Sequence, residues 1–336
     1  MKMNLLKKLL RNNKGVSQVV SVLILTSVVI VGAVGAGIIM SEVSSDVSSS
    51  ASVGNVGDAV ENKIVMAGST TVRPLTECLA KNFMKDNLGI KVSVAGGGSG
   101  YGRTCAQLDI CDIGAASSDT TVEELEEKGL REIMVGGSGV VVITNDDTIT
   151  QTQKSEMQAC YTNAATCVVN ITATVPVTAV YDRDEPSGTE DTFAKYLGDK
   201  SYINDAKAAG SGVNGKLGNP GVLEAVASCT GTCIGFVDVG FAEGNDDVKM
   251  LTIDTMPPSR DKIADELASQ DGTNYVTKLV RTLNYLTSGL ADPLEQDFLD
   301  YVEAEENKKS IPGYEDCYEQ TGYIGPWEFG GIVEQP

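Results

Sequence analysis

The stretch RDEPSGT at residues 183–189 follows a strand-like apolar run and leads into a helix-like segment. Two earlier stretches stand in the same context, GSTT at residues 68–71 and GGGSG at residues 96–100. Small residues at a strand-to-helix turn leave backbone N–H groups free, and the helix dipole favours negative charge there. Any one of these turns is ordinary turn chemistry. Three of them in one structural context predict a cage for a small oxyanion that needs no metal.

An alternation of short apolar runs with amphipathic runs begins at Lys63 and continues through the chain. This order predicts an α/β fold with largely parallel sheets. In open α/β sheets, ligands lie beyond the carboxyl ends of the strands, which is where the three turns fall. The predicted strands are residues 63–66, 91–95, 113–116, 139–144, 177–181, 234–237 and 279–286. The predicted helices are residues 75–85, 102–108, 122–128, 189–197, 221–227 and 292–304.

The composition restricts the chemistry open to this 336-residue chain, because it contains no histidine. That excludes Ser-His-Asp and Cys-His catalysis and histidine metal ligands. The formal net charge is −20 and no basic patch is interleaved with aromatic residues, so we expect no nucleic-acid partner. Adaptation of the surface to salt explains such acidity equally well. An anion site on this chain must act through convergent local donors, because the long-range field repels anions.

Residues 16–40 contain no charged residue and are dominated by Val, Ile, Leu, Gly and Ala. As a helix they would extend roughly 37 Å, which exceeds a bilayer core of about 30 Å. Five basic residues and no acidic one precede them, so the positive-inside rule places the N-terminus in the cytoplasm. A cleaved secretory signal and a buried core helix are the alternatives. We predict a basic leader at residues 1–15, a transmembrane helix at 16–40, a flexible linker at 41–60 and a globular domain outside the cell membrane.

The junction NKGVSQVV at residues 13–20 resembles the N-terminal region of archaeal type IV pilin-like proteins. In that group a dedicated peptidase cuts after the glycine, so the resemblance implies cleavage after Gly15. It also implies that the helix at residues 16–40 is kept as a membrane anchor or as the core of a filament through which the chain self-assembles.

The eight cysteines all lie beyond the apolar segment, and an even count in an exported domain favours disulfides. About 105 pairings are formally possible. Zinc is the weaker alternative, because no spacing is C-x-x-C and no histidine is present. Neighbours in the sequence suggest Cys105–Cys111, Cys160–Cys167 and Cys229–Cys233, which leaves Cys78 with Cys317.

Six stretches carry a family resemblance: AGSTTVRPL at 67–75, GGGSG at 96–100, DIGAASS at 112–118, RDEPSGT at 183–189, GNPGV at 218–222 and IGF at 234–236. In this order and at these spacings they resemble the phosphate-binding proteins of ABC-type phosphate importers. The resemblance covers the chain from about Lys63 to Trp327. It implies a periplasmic-binding-protein fold, in which two α/β lobes enclose a ligand cleft and the chain crosses the hinge twice. The first lobe would comprise residues 61–145 and 248–336, and the second lobe residues 146–247.

The phosphate donors of that family map onto seven positions of this sequence, and Ser117 is added as an eighth candidate ligand residue. Arg183 would supply the one full positive charge by planar bidentate bonding. Hydroxyl groups and the backbone N–H groups at a helix start would supply the other donors, without a cofactor. The eight positions are Ser69, Thr70, Ser99, Ser117, Arg183, Ser187, Gly188 and Thr189.

The turn at the end of the DIGAASS stretch, residues 112–118, departs from the family pattern. Well-known members carry an aspartate there, which accepts the proton of monohydrogen phosphate. This chain has Ser117 and Ser118, with Asp119 one step further on. Discrimination between phosphate and sulfate therefore depends on whether Asp119 reaches the ligand or Ser117 accepts the proton.

These observations lead to one main hypothesis and three alternatives. The main hypothesis is a membrane-tethered, extracytoplasmic binding protein that captures inorganic phosphate and delivers it to the membrane subunits of an ABC importer. One alternative is a pilin-like surface filament subunit that carries a binding-protein domain. A second is a binder of another oxyanion such as sulfate. An enzyme such as a phosphatase is the third, and the lack of histidine and of an acid cluster argues against it.

Overall fold

The computed structural model describes residues 62–118, 120–170, 174–204, 211–305, 316–330 and 334–335. The predicted leader, apolar helix and linker, the cleavage position after Gly15 and the side chain of Asp119 lie outside the described residues. Within the described ranges, no helix combines the length and the apolar character that crossing a membrane requires. All described residues belong to one compact unit, Val60–Pro336.

The first elements of this unit alternate strands with helices in the predicted order. They are β1 (Lys63–Gly68), α1 (Arg73–Asp86), β2 (Lys91–Gly96), α2 (Ser99–Gln107), β3 (Ile113–Ala116), α3 (Val122–Lys128) and β4 (Leu130–Thr144). Pro74 lies in the first turn of α1, where its missing N–H removes no helical hydrogen bond. Thr121 starts α3, because its side chain accepts from the Glu124 N–H.

The middle of the unit holds the helix that follows the RDEPSGT stretch. Its elements are β5 (Gln151–Thr152), α4 (Lys154–Thr162), β6 (Val168–Asn170), β7 (Thr174–Pro176), β8 (Ala179–Arg183), α5 (Gly188–Leu197), α6 (Ser201–Asn204), β9 (Val213–Lys216), α7 (Gly218–Ala227), β10 (Cys233–Asp238) and α8 (Val239–Ala242). The last part comprises β11 (Lys249–Met250), β12 (Thr252–Ile253), α9 (Arg260–Ser269), β13 (Val280–Ser288), α10 (Pro293–Glu303), α11 (Cys317–Thr321) and β14 (Glu334–Gln335).

The main sheet has the strand order β2-β1-β3-β13-β4-β10-β8-β9, and β11 and β14 also pair with β4. Strand β1 is parallel to β2 and β3, and β8 is parallel to β9 and β10. Strand β13 is antiparallel to β3 and β4, and β10 is antiparallel to β4. The expectation of largely parallel sheets was therefore wrong in the centre of the sheet. Because β4 and β13 lie side by side and run in opposite directions, the sheet is mixed.

Strand β4 connects the two halves of the sheet. Its residues from Leu130 to Gly139 pair with β13, and those from Val140 to Thr144 pair with β10. The prediction covered only its apolar second half, residues 139–144. The first half contains GGS at residues 136–138, which is uncommon within a strand. Packing explains the glycines of this strand. A Cβ on Gly136 would lie 3.0 Å from the Ile324 carbonyl oxygen, and one on Gly137 would lie 2.5 Å from Leu267 of α9. A Cβ on Gly139 would lie 2.7 Å from Ile263, also in α9.

Each half of the sheet has its own aromatic core. In the half built on β1, Phe83 of α1 meets Phe298 of α10 edge to face, with ring centroids 5.2 Å apart. In the half built on β10, Phe193 of α5 stacks on Phe236 at 4.3 Å. These rings fix α5 against β10, and this contact sets where the helix start lies.

Four disulfides tie these elements together, and all eight cysteines take part. They leave no thiolate for zinc. The longest link joins α1 to α11, and the other three close short local loops. The bonds are Cys105–Cys111, Cys160–Cys167 and Cys229–Cys233, which the spacing predicted, and Cys78–Cys317, the pair that this prediction left.

Candidate functional site

The three turns predicted to bind an oxyanion, GSTT, GGGSG and RDEPSGT, lie at the ends of strands β1, β2 and β8. Strands β1 and β2 are parallel neighbours, so their carboxyl ends fall at one edge of the sheet. Helices begin shortly afterwards, at Arg73, Ser99 and Gly188. The third predicted stretch, DIGAASS, ends at the carboxyl end of β3, which is parallel to β1. The topology therefore brings the predicted hydroxyl groups of the first half together.

Three buried serines form a continuous hydrogen-bonded cluster at this edge. Ser69 Oγ donates to Ser117 Oγ at 2.8 Å, and the Ser99 and Ser117 hydroxyl oxygens are 3.2 Å apart. The Ser117 N–H donates to Ser99 Oγ at 3.1 Å. At most 3% of each of the three residues is exposed. We call Ser69, Ser99 and Ser117 the serine cluster.

The glycines of the GGGSG turn mainly allow close packing between turns and are less important as hydrogen-bond donors to a ligand. The Gly98 N–H donates to the Gly68 carbonyl at 2.9 Å, so it is not available to a ligand. Gly98 has φ +83°, which favours glycine, and a Cβ there would lie 2.4 Å from the Pro186 carbonyl oxygen. These glycines therefore let the second turn lie against the RDEPSGT turn.

Arg183 ends β8 and is the fully buried cation of the site. It is 1% exposed, its Nη2 donates to Thr70 Oγ1 at 2.8 Å, and it forms an ion pair with Glu185. Its Nε and Nη1 have no acceptor among the residues that the structure describes. Burial lowers the pKa of the Arg183 guanidinium, and the nearby Glu185 charge opposes that fall. Buried N–H donors without acceptors are rare in folded proteins, so these two are suited to an anionic ligand.

Glu185 links the arginine to the following turn. Besides pairing with Arg183, its two carboxylate oxygens each lie 3.2 Å from the Gly218 N–H, at the start of α7. This contact anchors the GNPGV stretch beside the site. The pairing also fixes one edge of the guanidinium, which leaves the Nε and Nη1 edge for a ligand.

The start of helix α5 closes the site from the other side. Ser187 is its N-cap and accepts from the Glu190 N–H at 3.3 Å. A Cβ on Gly188 would lie 2.6 Å from the Ser117 carbonyl oxygen, so only glycine lets α5 approach the serine cluster this closely. The N–H groups of Gly188 and Thr189 lie in the first turn, where they have no acceptor within the helix. Their position favours negative charge.

A buried polar network behind the site was missed by the sequence reasoning. Arg281 of β13 forms an ion pair with Asp238 of β10 at 2.7 Å, and its Nη2 also donates to Thr189 Oγ1 at 3.0 Å. Thr71 Oγ1 lies 3.0 Å from Thr189 Oγ1 and accepts from Asn219 Nδ2 at 2.8 Å. A signal was present in the sequence, because Arg281 is a charged residue within the apolar run 279–286.

The eight predicted positions occupy three connected places. Ser69, Ser99 and Ser117 form the serine cluster, Thr70 contacts Arg183, and Ser187, Gly188 and Thr189 form the start of α5. Ser118 points elsewhere, because its hydroxyl and carbonyl oxygens both accept from Arg103 Nη2, at 2.8 and 2.7 Å. The structure therefore brings the eight predicted residues together.

Comparisons with known proteins agree with this architecture. The chain is 25% identical over 258 residues to the phosphate-binding protein PstS of Bacillus subtilis, which covers 76% of this chain and 79% of that protein. Among solved structures it resembles a Clostridium perfringens substrate-binding protein assigned to a phosphate ABC transporter and solved with bound phosphate (TM-score 0.63, 21% identity, 79% of this chain and 99% of that one). It also resembles an ABC-type phosphate transport receptor from Vibrio cholerae (TM-score 0.57, 22% identity, 79% and 100%).

A family match completes the comparison. Residues 48–306 match the family model of the PBP superfamily domain. This range includes every residue of the serine cluster, the RDEPSGT turn and the network around Arg281. Since the match covers more than half of the sequence, the chain belongs to the PBP superfamily.

Proposed function

We propose that this protein binds inorganic phosphate and delivers it to the membrane subunits of an ABC importer. The observation that carries the proposal is the buried guanidinium of Arg183, whose Nε and Nη1 have no acceptor among the described residues. Hydroxyl groups and a helix N-terminus surround it, and these donors suit a tetrahedral oxyanion. The matched relatives bear the name phosphate-binding protein, which supports phosphate as the ligand. We propose that the protein acts as a binding protein and not as an enzyme, in keeping with the name of these relatives.

Each predicted residue has a part in the proposed site. Arg183 supplies the charge, and Thr70 and the serine cluster supply hydroxyl groups from the half of the sheet built on β1. Gly188 and Thr189 supply N–H groups, with the Thr189 hydroxyl, from the other half. Ser187 holds the helix start in place through its bond to the Glu190 N–H. Binding of an anion in this position would satisfy the buried donors of Arg183.

The two halves of the sheet are proposed to be the two lobes that close on the ligand. Our predicted bounds are residues 61–145 with 248–336 for the first lobe, and 146–247 for the second. The strand pairing favours different crossing points, inside β4 near Gly139 and at the start of β13 near Val280, where the pairing between these strands ends. Two short chain segments that cross side by side in opposite directions are suited to form a hinge.

Residues 1–60 are proposed to tether this domain to the outer face of the cell membrane. The proposal rests on the uncharged run at residues 16–40 and the basic residues before it. Cleavage after Gly15 and self-assembly through this helix are further proposals from the pilin-like sequence. A filament subunit remains an alternative that rests on the sequence alone.

Isothermal titration calorimetry of the full chain with potassium phosphate tests the main proposal. We expect saturable binding with one site per chain. The Arg183→Met variant should weaken binding by at least roughly 100-fold, because it removes a buried charged donor. Arg260→Met is the matched control, since Arg260 pairs with Glu328 and the Tyr323 carbonyl outside the site. Absence of any phosphate binding by the wild-type chain would refute the proposal, and sulfate titrated in parallel would identify the second oxyanion candidate.

A further inference from the structure

Arg281 occupies a buried position that joins the two halves of the sheet. It lies in β13 opposite Ser138 of β4, and 4% of it is exposed. Its Nη2 contacts three acceptors: Asp238 Oδ2 at 2.7 Å, Thr189 Oγ1 at 3.0 Å and Thr71 Oγ1 at 3.3 Å. A guanidinium can only donate. Nη2 carries two hydrogens, so each of these oxygens accepts from Arg281 and one of the hydrogens is shared between two of them.

The amide of Asn219 sets the direction of the hydrogen bonds at Thr71. A backbone N–H can only donate, so the Asp238 N–H bonds to Asn219 Oδ1, at 3.1 Å. The Nδ2 group of Asn219 consequently faces Thr71 Oγ1 and donates to it at 2.8 Å. With Arg281 as a second donor, both lone pairs of Thr71 Oγ1 are used. The Thr71 hydroxyl hydrogen then points to Thr189 Oγ1, the acceptor within reach at 3.0 Å.

Thr189 accepts two hydrogen bonds as a result, one from Arg281 and one from Thr71. Both of its lone pairs are used, and its own hydroxyl hydrogen has no acceptor among the described residues. Thr189 is the second residue of α5 and directly follows Gly188, which packs on Ser117. The hydroxyl is thus left as a pure donor at the side of the site formed by α5.

We propose that Arg281 is a positioning residue of the oxyanion site, which fixes the Thr189 hydroxyl as an obligate donor to the ligand. The inference rests on the proposed function. A hydroxyl fixed in this way favours an ionised ligand oxygen and rejects a ligand O–H group, which would face a second donor. Arg281 adds no net charge to the site, because Asp238 neutralises it.

Asp238 is itself held so that it can orient the guanidinium. Its Oδ1 accepts from Ser138 Oγ at 2.5 Å and from the Gly240 N–H at 3.3 Å, and its Oδ2 faces Arg281. The Nε of Arg281 has no acceptor among the described residues. Direct contact between this Nε and the ligand is therefore the competing role, in which Arg281 would act independently of Thr189.

A double-mutant cycle distinguishes the two roles. Phosphate affinity would be measured by calorimetry for the full-length wild type, Arg281→Met, Thr189→Val and the double variant. We expect each single change to weaken binding roughly 10- to 100-fold, the range for one hydrogen bond to a charged group. In the Thr189→Val background, Arg281→Met should change the affinity less than about threefold. Thr189→Ser keeps the hydroxyl, so it should restore the full sensitivity to Arg281→Met.

Additive effects in the cycle would overturn the inference, because Arg281 would then act without Thr189. Loss of the buried arginine leaves Asp238 unpaired, so thermal unfolding must show that each variant is folded. If Arg281→Met does not fold, Thr71→Val replaces it, since Thr71 is the other donor to Thr189 and the same non-additivity is expected. If the wild type itself fails to bind phosphate, the proposed function fails first and the inference falls with it. An additive cycle on a wild type that binds phosphate refutes the inference alone.

Discussion

Gly98, in the turn after β2, lies against Pro186, in the turn after β8, with no space for a side chain between them. A Cβ on Gly98 would lie 2.4 Å from the Pro186 carbonyl oxygen. Atoms never approach this closely without displacement, so the contact between the two turns depends on glycine. Since the two turns belong to different halves of the sheet, this contact is one that lobe closure would form.

We predict that Gly98→Ala weakens phosphate binding at least about tenfold by preventing this contact. The backbone of Gly98, at φ +83° and ψ +163°, adds a stability cost of about 1–3 kcal/mol for alanine. Gly100→Ala separates the two effects, because Gly100 lies in α2 without positive φ and its Cβ would lie 3.0 Å from Pro186 Cβ. It should weaken binding a few-fold with little loss of stability.

Gly129→Ala is the matched control for backbone strain. Gly129 has φ +65°, and a Cβ there would have no atom within 4 Å. It should lower the free energy of unfolding by about 1–2 kcal/mol and leave the dissociation constant for phosphate unchanged. Equal affinity of Gly98→Ala and the wild type in calorimetry would show that closure does not need this contact.

The disulfide Cys78–Cys317 should be the largest covalent contribution to stability. It closes a loop of 239 residues and ties α11 to α1, whereas Cys105–Cys111 closes one of only 6. In the chain-entropy model, the long loop contributes about 5–6 kcal/mol and the short loop about 2 kcal/mol. We therefore expect Cys78→Ala/Cys317→Ala to lower the urea midpoint more than Cys105→Ala/Cys111→Ala does. The opposite order of midpoints would contradict the prediction.

Glu266 of α9 should make the stability of the fold depend on pH in the acid range. The side chain is fully buried, and burial alone would raise its pKa, but hydrogen bonds from Thr277 Oγ1 and the N–H groups of Gly272 and Asn274 outweigh this and lower it. A carboxyl whose pKa is lowered by folding stabilises the fold above its unfolded pKa of about 4.3. That stabilisation is lost as the pH falls through the folded pKa.

Glu266→Gln tests this dependence. At pH 7 we expect the variant to be less stable than the wild type by about 1–3 kcal/mol, because the amide cannot accept all these bonds. At pH 3 the difference should shrink, since this pH lies below the unfolded pKa of about 4.3 and the unfolded state then gains stability by binding a proton. Urea unfolding at both pH values measures the two differences. A gap of the same size at both would mean that Glu266 does not titrate between them.

Much of the site could be predicted from the sequence, because its residues sit in short local patterns. Strand β3 has the predicted bounds, and α5 begins at Gly188, one residue before the prediction. Three of the disulfide pairs followed from close spacing in the sequence. In each case the signal is local: a turn, a cap or a pair of near neighbours determines the structure.

Contacts between distant elements could not be predicted in this way. The first half of β4 lacks an alternating pattern, and its glycines are explained by Leu267 of α9 and by Ile324, which lie more than a hundred residues later. Arg281 acquires its role through Asp238 and Thr189, on two other elements. A single charged residue in an apolar run indicates that something is buried with it, but the partner is determined only by the topology.

Ser117 should determine how well the site separates phosphate from sulfate. Its hydroxyl can accept a hydrogen bond from a ligand O–H group or donate one to an ionised oxygen, so the serine cluster is compatible with both protonated and fully ionised oxyanions. Replacing it by a carboxylate would add an acceptor that faces repulsion from sulfate but can accept the proton of monohydrogen phosphate. We therefore predict that Ser117→Asp lowers the affinity for sulfate at least about tenfold more than the affinity for phosphate.

Competition calorimetry measures this change, with sulfate titrated into protein preloaded with phosphate at pH 7. Ser118→Asn is the control, because Ser118 faces Arg103 and not the serine cluster. It should leave the ratio of the two affinities unchanged. If Ser117→Asp weakens the binding of both anions equally, the turn that carries Ser117 does not determine selectivity. Recognition of the ligand proton must then come from elsewhere in the site. A selective loss of sulfate would show that the serine at this position broadens the range of oxyanions that the protein accepts.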